Sequence, residues 1–591
     1  MLFLALLAMN SSMNPVLPEP KHWSYQRTPP MGWNSWDCFG TTITESQVKA
    51  QADAMAKELK PFGWTFLTVD IQWYEPNAKG HDYQPGARLE MDDHSRLIPA
   101  VNKFPSSANG KGFKPLADYV HKKGLKFGIH IMRGIPRQAV NANTPIIGTE
   151  LRAKDVANPK SICAWNPDMY GVDATLAGGQ AYYNSLFKMY ASWGVDLVKV
   201  DDIARPYDAV QKAEIEAIRR AIDQSGRPIV LSLSPGDTPI EQGAHVSEHA
   251  NMWRISDDFW DQWHPLYGMF GRLDKWTPFR HNGAWPDADM LPFGIVEFNR
   301  PTRFTQDEQT LCMTLWSIAR SPLILGADMT RLDPFTLNLL TNSEVLGVNQ
   351  SSLNNRQLWR KGDLVAWVAD VSGSHDKYLA LFNAQSNEMP YDLSQAAYRS
   401  PVIRGAPGAE VAEISAALGQ THKLALVVTD GGDNNYYDQV AWLEPTLSGP
   451  KGTIKLTDLK WTKATAGWRE ARVNKTVDDH VINGIGTHSV SIIEYDVPDG
   501  FDTFRAKGVL TAGSEGKGSV EFVVLTDKAS RPVPDHSLVS VSISDLGLDG
   551  DVTVRDLWNK KDLGLFSGTF GQSLPLHGAG LYRVTLRGEK E

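Results

Sequence analysis

Five charged side chains in this sequence stand at the ends of short apolar runs. They are Asp70, Asp201, Arg254, Asp258 and Asp289, in the stretches FLTVDIQW, DLVKVDD, WRISDD and DADMLP. A single aspartate in such a place often caps the following helix, but a group of five brought together could do chemistry. Two carboxylates across a cleft are what glycoside hydrolysis requires, one to attack or to activate water and one to protonate the leaving oxygen.

Strand alternation distinguishes the two adjacent aspartates of DLVKVDD, because successive side chains of a strand point to opposite faces. Lys199 and Asp201 share one face, whereas Asp202 shares the other with two valines that suit packing against outer helices. A lysine beside Asp201 favours the ionised carboxylate. Asp201 is therefore the predicted nucleophile or base.

The same alternation distinguishes the two adjacent aspartates of WRISDD. Arg254 and Asp258 share one face, and Asp257 lies on the other. We predict Asp201 and Asp258 as the catalytic pair. Because alternation is weakest at strand ends, Asp202 and Asp257 stay as the alternatives.

The apolar runs belong to a repeating pattern of strands and amphipathic helices from about residue 28 to 345. The eight strand-like segments are PMGWNSW, FLTVDIQW, LKFGIHIM, DLVKVDD, PIVLSLSP, MWRISDD, DADMLP and PLILGAD. Glycine often follows the helical segments between them, as at helix C-termini. Eight such units predict a (β/α)₈ TIM barrel, whose active site lies at the carboxyl ends of the strands. A doubly wound sheet is the competing fold, but it does not favour eight regular units.

The remainder of the chain has a β pattern. LVAWVAD, KYLALFN, VTVRDLW and GAGLYRVTL predict a C-terminal antiparallel β-sandwich, and β-rich sequence between its halves predicts an inserted β-sandwich module. The predicted division is a signal-like lead at 1–27, the catalytic barrel at 28–350, the C-terminal sandwich at 351–400 and 531–591, and the inserted module at 401–530.

Composition and the N-terminal segment indicate which partners the protein binds and where it is located. A net charge of −9 without a basic tract argues against nucleic acid, and 19 tryptophans fit a protein that stacks aromatic rings on sugars. The run MLFLALLAM is interpreted as a secretory signal, which predicts a secreted or periplasmic protein, with a wrongly assigned start as the alternative. This run is too short to span a membrane, and no other segment approaches the length of a transmembrane helix.

The three cysteines match neither a metal-binding spacing nor a disulfide framework. The sequence leaves undecided whether Cys38 and Cys163 form a disulfide bond. No metal site is predicted.

Several ordered motifs resemble those of the melibiase-type α-galactosidases, glycoside hydrolase family 27. They are TPPMGWNSWDCFG, VKVDD, WRISDD, WPDADMLPFG and SPLILGADMTRLD. The resemblance covers about 28–350 and resumes in the C-terminal sandwich. It implies a barrel with a β-sandwich, a retaining mechanism without a cofactor, Asp201 as the nucleophile of a K-x-D motif, and Asp258 as the acid/base.

The resemblance also implies a set of sugar-binding side chains. By motif they are Trp36 against the sugar face, Asp70 on ring hydroxyls, Lys199 and Arg254 near the anomeric carbon, and Asp289 with Met290 lining the pocket.

Three positions depart from the family pattern and bear on the choice of sugar. Ile71 follows Asp70, where these enzymes usually carry a second aspartate that reads the hydroxyls at C4 and C6. His130 stands where a tyrosine is common, and Ser234 stands where some members have a larger residue. The predicted substrate is a terminal α-D-galactosyl residue of an oligosaccharide or glycan.

Two alternatives to α-galactosidase activity follow. One is a same-fold enzyme of different specificity, an isomaltose-releasing dextranase or a β-L-arabinopyranosidase. The other is a carbohydrate-binding protein on an inactive barrel, whose expected mark would be the loss of a catalytic carboxylate; both carboxylates are present.

The inserted segment resembles the NPCBM type of carbohydrate-binding module, centred on the motif GIGTHS. Relatives of that type bind galactose-containing glycans. Trp468 and His488 are the candidate sugar-binding residues, and a purely structural role for both is the alternative.

Overall fold

The computed structural model describes residues 19–386, 390–432, 435–531 and 533–588. The N-terminal apolar run lies outside the described residues, so export stays a prediction. Among the described helices, none is both long and apolar enough to cross a membrane. The chain forms two compact units, one from the chain up to Ala384 together with the chain from His536 onward, and the other from Gln385 to Asp535.

Eight parallel strands form the centre of the first unit and confirm the predicted (β/α)₈ barrel. They are β1 (Met31–Asn34), β2 (Phe66–Val69), β3 (Lys126–Met132), β4 (Leu197–Asp201), β5 (Val230–Leu233), β6 (Met252–Arg254), β7 (Trp285–Asp287) and β8 (Leu323–Leu325). Their order in the sheet is β7-β6-β5-β4-β3-β2-β1-β8. A parallel bridge between Leu291 and Leu325 joins the two ends of the sheet.

A regular helix follows each barrel strand. These helices are α1 (Glu45–Glu58), α2 (Lys114–Lys122), α3 (Ala177–Trp193), α4 (Ala209–Ser225), α5 (Gly243–His249), α6 (Trp263–Trp276), α7 (Gln306–Ala319) and α8 (Ser343–Ser351). Shorter helices at Trp36–Phe39, Arg137–Ala142, Ala153–Val156 and Pro334–Leu340 lie in the connections.

Local sequence explains where these elements begin and end. The Asp208 side chain accepts hydrogen bonds from the first turn of α4, and Gly226 ends that helix in the left-handed conformation, with φ +77°. Every residue of β2 and β5 is buried, as expected for parallel strands covered on both faces. The chemistry of the barrel is therefore confined to the strand ends and the loops that follow them.

Two small sheets lie in the loops of the barrel. Ile135–Pro136, Ala157–Ile162 and Met169–Val172 pair between β3 and α3, and Ile295–Val296 pairs with Arg300–Pro301 between β7 and α7.

The first unit also contains the C-terminal β-sandwich. Its six-stranded sheet has the order Leu353–Lys361, Leu364–Asp370, Lys377–Asn383, Gly578–Leu586, Val552–Asp556 and Lys561–Phe566. Its two-stranded sheet pairs His536–Ser542 with Thr569–Pro575.

The second unit is formed by two antiparallel sheets around its own core, which includes Trp442, Phe504 and Phe522. One sheet contains Tyr398–Arg399, Ile403–Arg404, Lys423–Thr429, Lys463–Thr465, Ser491–Asp496 and Ser519–Thr526. The other contains Val411–Ala417, Gln439–Gly449, Gly452–Lys455, Arg472–Lys475, Val481–His488 and Thr503–Leu510.

The sequence division placed the inserted module at 401–530, and the second unit of the structure runs from Gln385 to Asp535. The added residues belong to it because Tyr391 forms a bridge with Ser530 and Tyr398 pairs with Val524. These pairings lie in turns and a two-residue strand, which have no periodic sequence signal.

Candidate active site

A chain of alternating charges joins the ends of β2, β3 and β4. His130 Nδ1 lies 2.5 Å from Asp70 Oδ1, and His130 Nε2 lies 3.0 Å from Asp201 Oδ2, although this second contact lacks the alignment of a full hydrogen bond. Lys199 Nζ lies 3.4 Å from Asp70 Oδ2. The parallel register pairs His130 with Lys199 on neighbouring strands, so the barrel itself holds two cationic groups beside Asp201.

Burial and mutual attraction set the charges of this cluster. Burial by itself would lower the pKa of His130, but the Asp70 and Asp201 carboxylates outweigh it and raise the pKa. Burial would raise the pKa of Asp201, yet His130 and Lys199 bring that pKa below its ordinary value. The pKa of Asp70 is lowered for the same reasons, against the effect of burial. An Asp201 carboxylate whose ionised form is favoured by these neighbours is suited to nucleophilic attack.

Asp202 has a different environment from Asp201. Its Oδ2 lies 2.9 Å from Arg133 Nη2, and its backbone carbonyl accepts hydrogen bonds from Arg133 and Gln211. Burial raises the pKa of Asp202 to about 6, although the Arg133 guanidinium opposes this rise. The structure therefore places Asp202 in an ion pair that orders the loop after β4.

Arg254 lies between two carboxylates at the ends of β6 and β7. Its Nη2 is 3.2 Å from Asp258 Oδ1 and 2.9 Å from Asp289 Oδ2. Asp289 also accepts a hydrogen bond from the Phe259 backbone. The Arg254 side chain is 2% exposed, whereas that of Asp258 is 63% exposed. The Asp258 side chain is thus anchored by the buried Arg254 and is itself exposed to solvent, where it could exchange protons with a substrate.

Asp257 lies in another ion pair. Its Oδ2 is 2.6 Å from Arg205 Nη1, in the loop after β4. Burial raises the pKa of Asp257 against the effect of Arg205. Because β6 ends at Arg254, Asp257 and Asp258 lie in the loop that follows it, where strand alternation no longer applies.

Trp36 and Met290 belong to an apolar cluster with Trp285, Met252 and Ile324. Of the two specificity candidates that follow β2 and β5, Ile71 is 1% exposed in the barrel core and Ser234 is also 1% exposed. The Ser234 hydroxyl is a buried polar atom without a protein hydrogen-bond partner.

Two residues that sequence reasoning missed lie close to this cluster. The Tyr83 ring stacks on Trp36, with centroids 6.0 Å apart, and its pKa is raised by burial and by carboxylates that include Asp201 and Asp258. Asp37 is buried, and burial with the nearby Asp289 raises its pKa well above the ordinary value. Asp37 follows the tryptophan of GWNSW directly, so that motif was a usable signal; Tyr83 lies in a long loop without one.

Trp468 and His488 lie in the second unit. Their ring centroids are 6.0 Å apart, and the Arg469 guanidinium lies 4.2 Å from the Trp468 ring. Trp468 is 41% exposed, whereas His488 is buried with its Nδ1 hydrogen-bonded to the Ser489 carbonyl. Trp468 is thus the more accessible of the pair.

In the part of the chain that the structure describes, Cys38, Cys163 and Cys312 are free and buried. The pairing of Cys38 with Cys163 that the sequence left open is not formed.

The chain of charges through His130 predicts a specific pH dependence. In a His130→Gln variant Asp201 loses one of its two cationic neighbours, while Lys199 remains, so the acidic limb of the kcat/KM profile should move up by about 1 pH unit. The raised pKa of His130 also contributes stability that is complete below its unfolded pKa near 6.5 and is lost as pH rises through the folded pKa. The variant should lack that loss in thermal melts measured from pH 6 upward.

The matched control is His375→Gln, since His375 is an exposed histidine of the same unit. It should leave both the acidic limb and the pH dependence of melting unchanged. An acidic limb that stays in place in His130→Gln would show that His130 does not set the charge of Asp201.

Acidic and basic side chains gather at the carboxyl ends of the barrel strands, as in a barrel enzyme. Comparison with known proteins shows which family of enzymes this is. A family model described as alpha galactosidase A matches residues 28–175 and 168–351, more than half of the chain. The protein is a glycoside hydrolase. It belongs to the alpha galactosidase A family, which confirms the resemblance to glycoside hydrolase family 27.

Two further family models match the β-rich regions. The NPCBM/NEW2 domain matches residues 452–539, and the alpha galactosidase C-terminal β-sandwich domain matches 510–584. The two matches overlap at residues 510–539, and in the structure the chain up to Asp535 packs into the second unit.

Individual relatives include enzymes named for two different sugars. The chain is 39% identical to the structure of a family 27 β-L-arabinopyranosidase from Geobacillus stearothermophilus, with 97% of this chain and 100% of that chain covered and a TM-score of 0.70. It is 31% identical to alpha-galactosidase A of Cellvibrio japonicus over 382 residues, covering 62% of this chain and 78% of the relative. It is 28% identical to alpha-galactosidase 2 of Arabidopsis thaliana over 348 residues, covering 58% and 73%.

Proposed function

We propose that this protein is a retaining exo-glycosidase whose preferred substrate is a terminal β-L-arabinopyranoside, with the α-D-galactoside as the second candidate. The two sugars have the same ring configuration, but L-arabinopyranose has a hydrogen where galactose carries its C6 hydroxymethyl group. The observation that carries this preference is Ile71, a buried apolar side chain where α-galactosidases usually have a carboxylate.

The energetic argument concerns the C6 hydroxyl of galactose. A hydroxyl that loses water without gaining a hydrogen-bond partner costs about 1–3 kcal/mol, and Ile71 offers no polar atom. The adjacent Asp70 is already engaged by His130 and Lys199. An arabinopyranoside has no such hydroxyl, so it avoids this cost. The relative from Geobacillus stearothermophilus, similar along the whole chain, is named for the same sugar.

The named α-galactosidase relatives support the second candidate. They are less similar to this chain and align with about three fifths of it.

The proposed mechanism uses two carboxylates in a double displacement. Asp201 attacks the anomeric carbon while Asp258 donates a proton to the departing oxygen, which leaves as an alcohol. A water molecule then attacks the glycosyl-enzyme, Asp258 takes its proton, and the bond between the sugar and Asp201 breaks. The anomeric configuration is inverted twice and is therefore retained.

The surrounding residues support each step. His130 and Lys199 keep Asp201 ionised, and Arg254 holds Asp258 and Asp289 in place. Arg254 Nε and the hydroxyl of Ser234 are buried and have no hydrogen-bond partner among the described residues, so they could bind sugar hydroxyls.

The test is a comparison of kcat/KM on 4-nitrophenyl β-L-arabinopyranoside and α-D-galactopyranoside. The unmodified protein should favour the arabinopyranoside by about tenfold or more, as expected for one unsatisfied hydroxyl. Ile71→Asp should shift the ratio by about tenfold towards the galactoside, because a carboxylate can accept a hydrogen bond from the C6 hydroxyl.

Ile71→Val is the matched control, since it keeps an apolar side chain and should keep the original preference. A preference of the unmodified protein for the galactoside, unchanged in Ile71→Asp, would contradict the role of Ile71. Turnover of α-N-acetylgalactosaminide or dextran in place of both substrates would contradict the proposed sugar.

A further inference from the structure

Three side chains outside the active site form a compact group on neighbouring barrel helices. Glu216 belongs to α4, and His245 and His249 belong to α5. One ligand atom from each of the three lies within 4.8 Å of the others, and all three residues are half-buried. The two histidines are four residues apart, so they project from the same face of α5.

Hydrogen bonds around the group fix the orientation of both rings. His249 Nδ1 bonds to the His245 carbonyl at 2.8 Å, which makes it the protonated nitrogen and leaves a lone pair on Nε2. His245 Nδ1 lies 2.8 Å from the Tyr207 hydroxyl, and its Nε2 faces Glu216. Metal-binding histidines characteristically have such a partner on the nitrogen opposite the metal.

One distance within the group matches the separation of two ligand atoms on a metal ion. His245 Nε2 and Glu216 Oε1 are 3.3 Å apart. In a tetrahedral site with metal–ligand bonds of about 2.0–2.1 Å, two ligand atoms are roughly 3.3 Å apart. Arg220 Nη1 lies 3.5 Å from Glu216 Oε2, so Oε1 is the oxygen that faces the histidines.

We propose that Glu216, His245 and His249 bind a divalent transition-metal ion of the Zn²⁺ type. Two imidazoles and one carboxylate are ligands that suit zinc. An imidazole coordinates a metal in its neutral form, through the nitrogen that carries the lone pair.

The site would connect three parts of the barrel. The metal would join α4 to α5, and the hydrogen bond from His245 to Tyr207 would extend the link to the loop that follows the nucleophile strand β4. Its consequence is stabilisation of the folded protein, because an ion that binds the folded chain raises the melting temperature.

The test is an isothermal calorimetric titration of the chelator-treated full chain with Zn²⁺ alone. Thermal melts of the same protein with and without Zn²⁺ accompany it. We expect saturable binding of one ion per chain and a higher melting temperature. His249→Gln and Glu216→Gln each remove one ligand and should weaken binding by at least about tenfold, with circular dichroism showing that both variants fold.

His375→Gln, which removes an exposed histidine elsewhere in the same unit, is the matched control and should bind zinc like the unmodified chain. Absence of stoichiometric binding would overturn the proposal, as would undiminished binding by both ligand variants. Because no sugar enters the measurement, its failure is distinguishable from failure of the proposed glycosidase activity.

Discussion

Replacing Asp201 with alanine should lower kcat on an aryl β-L-arabinopyranoside by about 10⁴-fold or more, while the protein stays folded. The expected loss is large because the variant has no carboxylate to form the covalent intermediate, and loss of a nucleophile has effects of this order in other hydrolases. The measurement is steady-state turnover, with circular dichroism to verify folding.

The matched control for this variant is Asp202→Asn. The asparagine keeps an oxygen that can accept a hydrogen bond from Arg133, the ion-pair partner of Asp202, so activity should stay within about tenfold of the original. A severe loss in Asp202→Asn with little change in Asp201→Ala would reverse the assignment of the two aspartates.

Replacing Asp258 with alanine should produce a loss that depends on the leaving group. A natural oligosaccharide has a poorly acidic leaving alcohol that needs a proton, so its hydrolysis should slow by about 10²–10⁴-fold. A dinitrophenyl glycoside releases a stable phenolate without a proton, so formation of its glycosyl-enzyme should change far less. Single-turnover release of the phenolate separates this step from the slower attack by water.

Asp257→Asn is the control here, since its carboxylate pairs with Arg205 and should not affect proton transfer to the substrate. Equal losses of Asp258→Ala on both classes of substrate would count against its role as the acid.

The barrel, and the strand ends at which its polar residues gather, could be predicted from regular patterns in the sequence. The eight βα units predict a barrel, and alternation along β4 separates Asp201 from Asp202. Since β6 ends at Arg254, the choice of Asp258 over Asp257 stays a prediction. Sequence alone does not reveal that His130 contacts both Asp70 and Asp201, because that contact depends on the parallel register between β3 and its neighbours.

The positions of some side chains could not be predicted, because they depend on connections or on contacts between elements for which the sequence has no periodic pattern. Tyr83 lies in the connection after β2 and stacks on Trp36 only in the folded chain. Asp37 fits beside Gly326 because glycine has no Cβ atom. A Cβ atom at that position would lie 2.0 Å from Asp37 Oδ2. The histidines of the proposed zinc site carry an i,i+4 spacing, but Glu216 comes from another helix.

The most direct test of the two-carboxylate mechanism is the product that Asp258→Ala forms from a dinitrophenyl glycoside in the presence of azide. Azide needs no general base, so it can attack the glycosyl-enzyme on Asp201 where water cannot. Proton NMR should show a glycosyl azide with the same anomeric configuration as the substrate. An azide of inverted configuration, or rates that azide does not accelerate, would contradict a covalent intermediate on Asp201 with Asp258 as the acid/base.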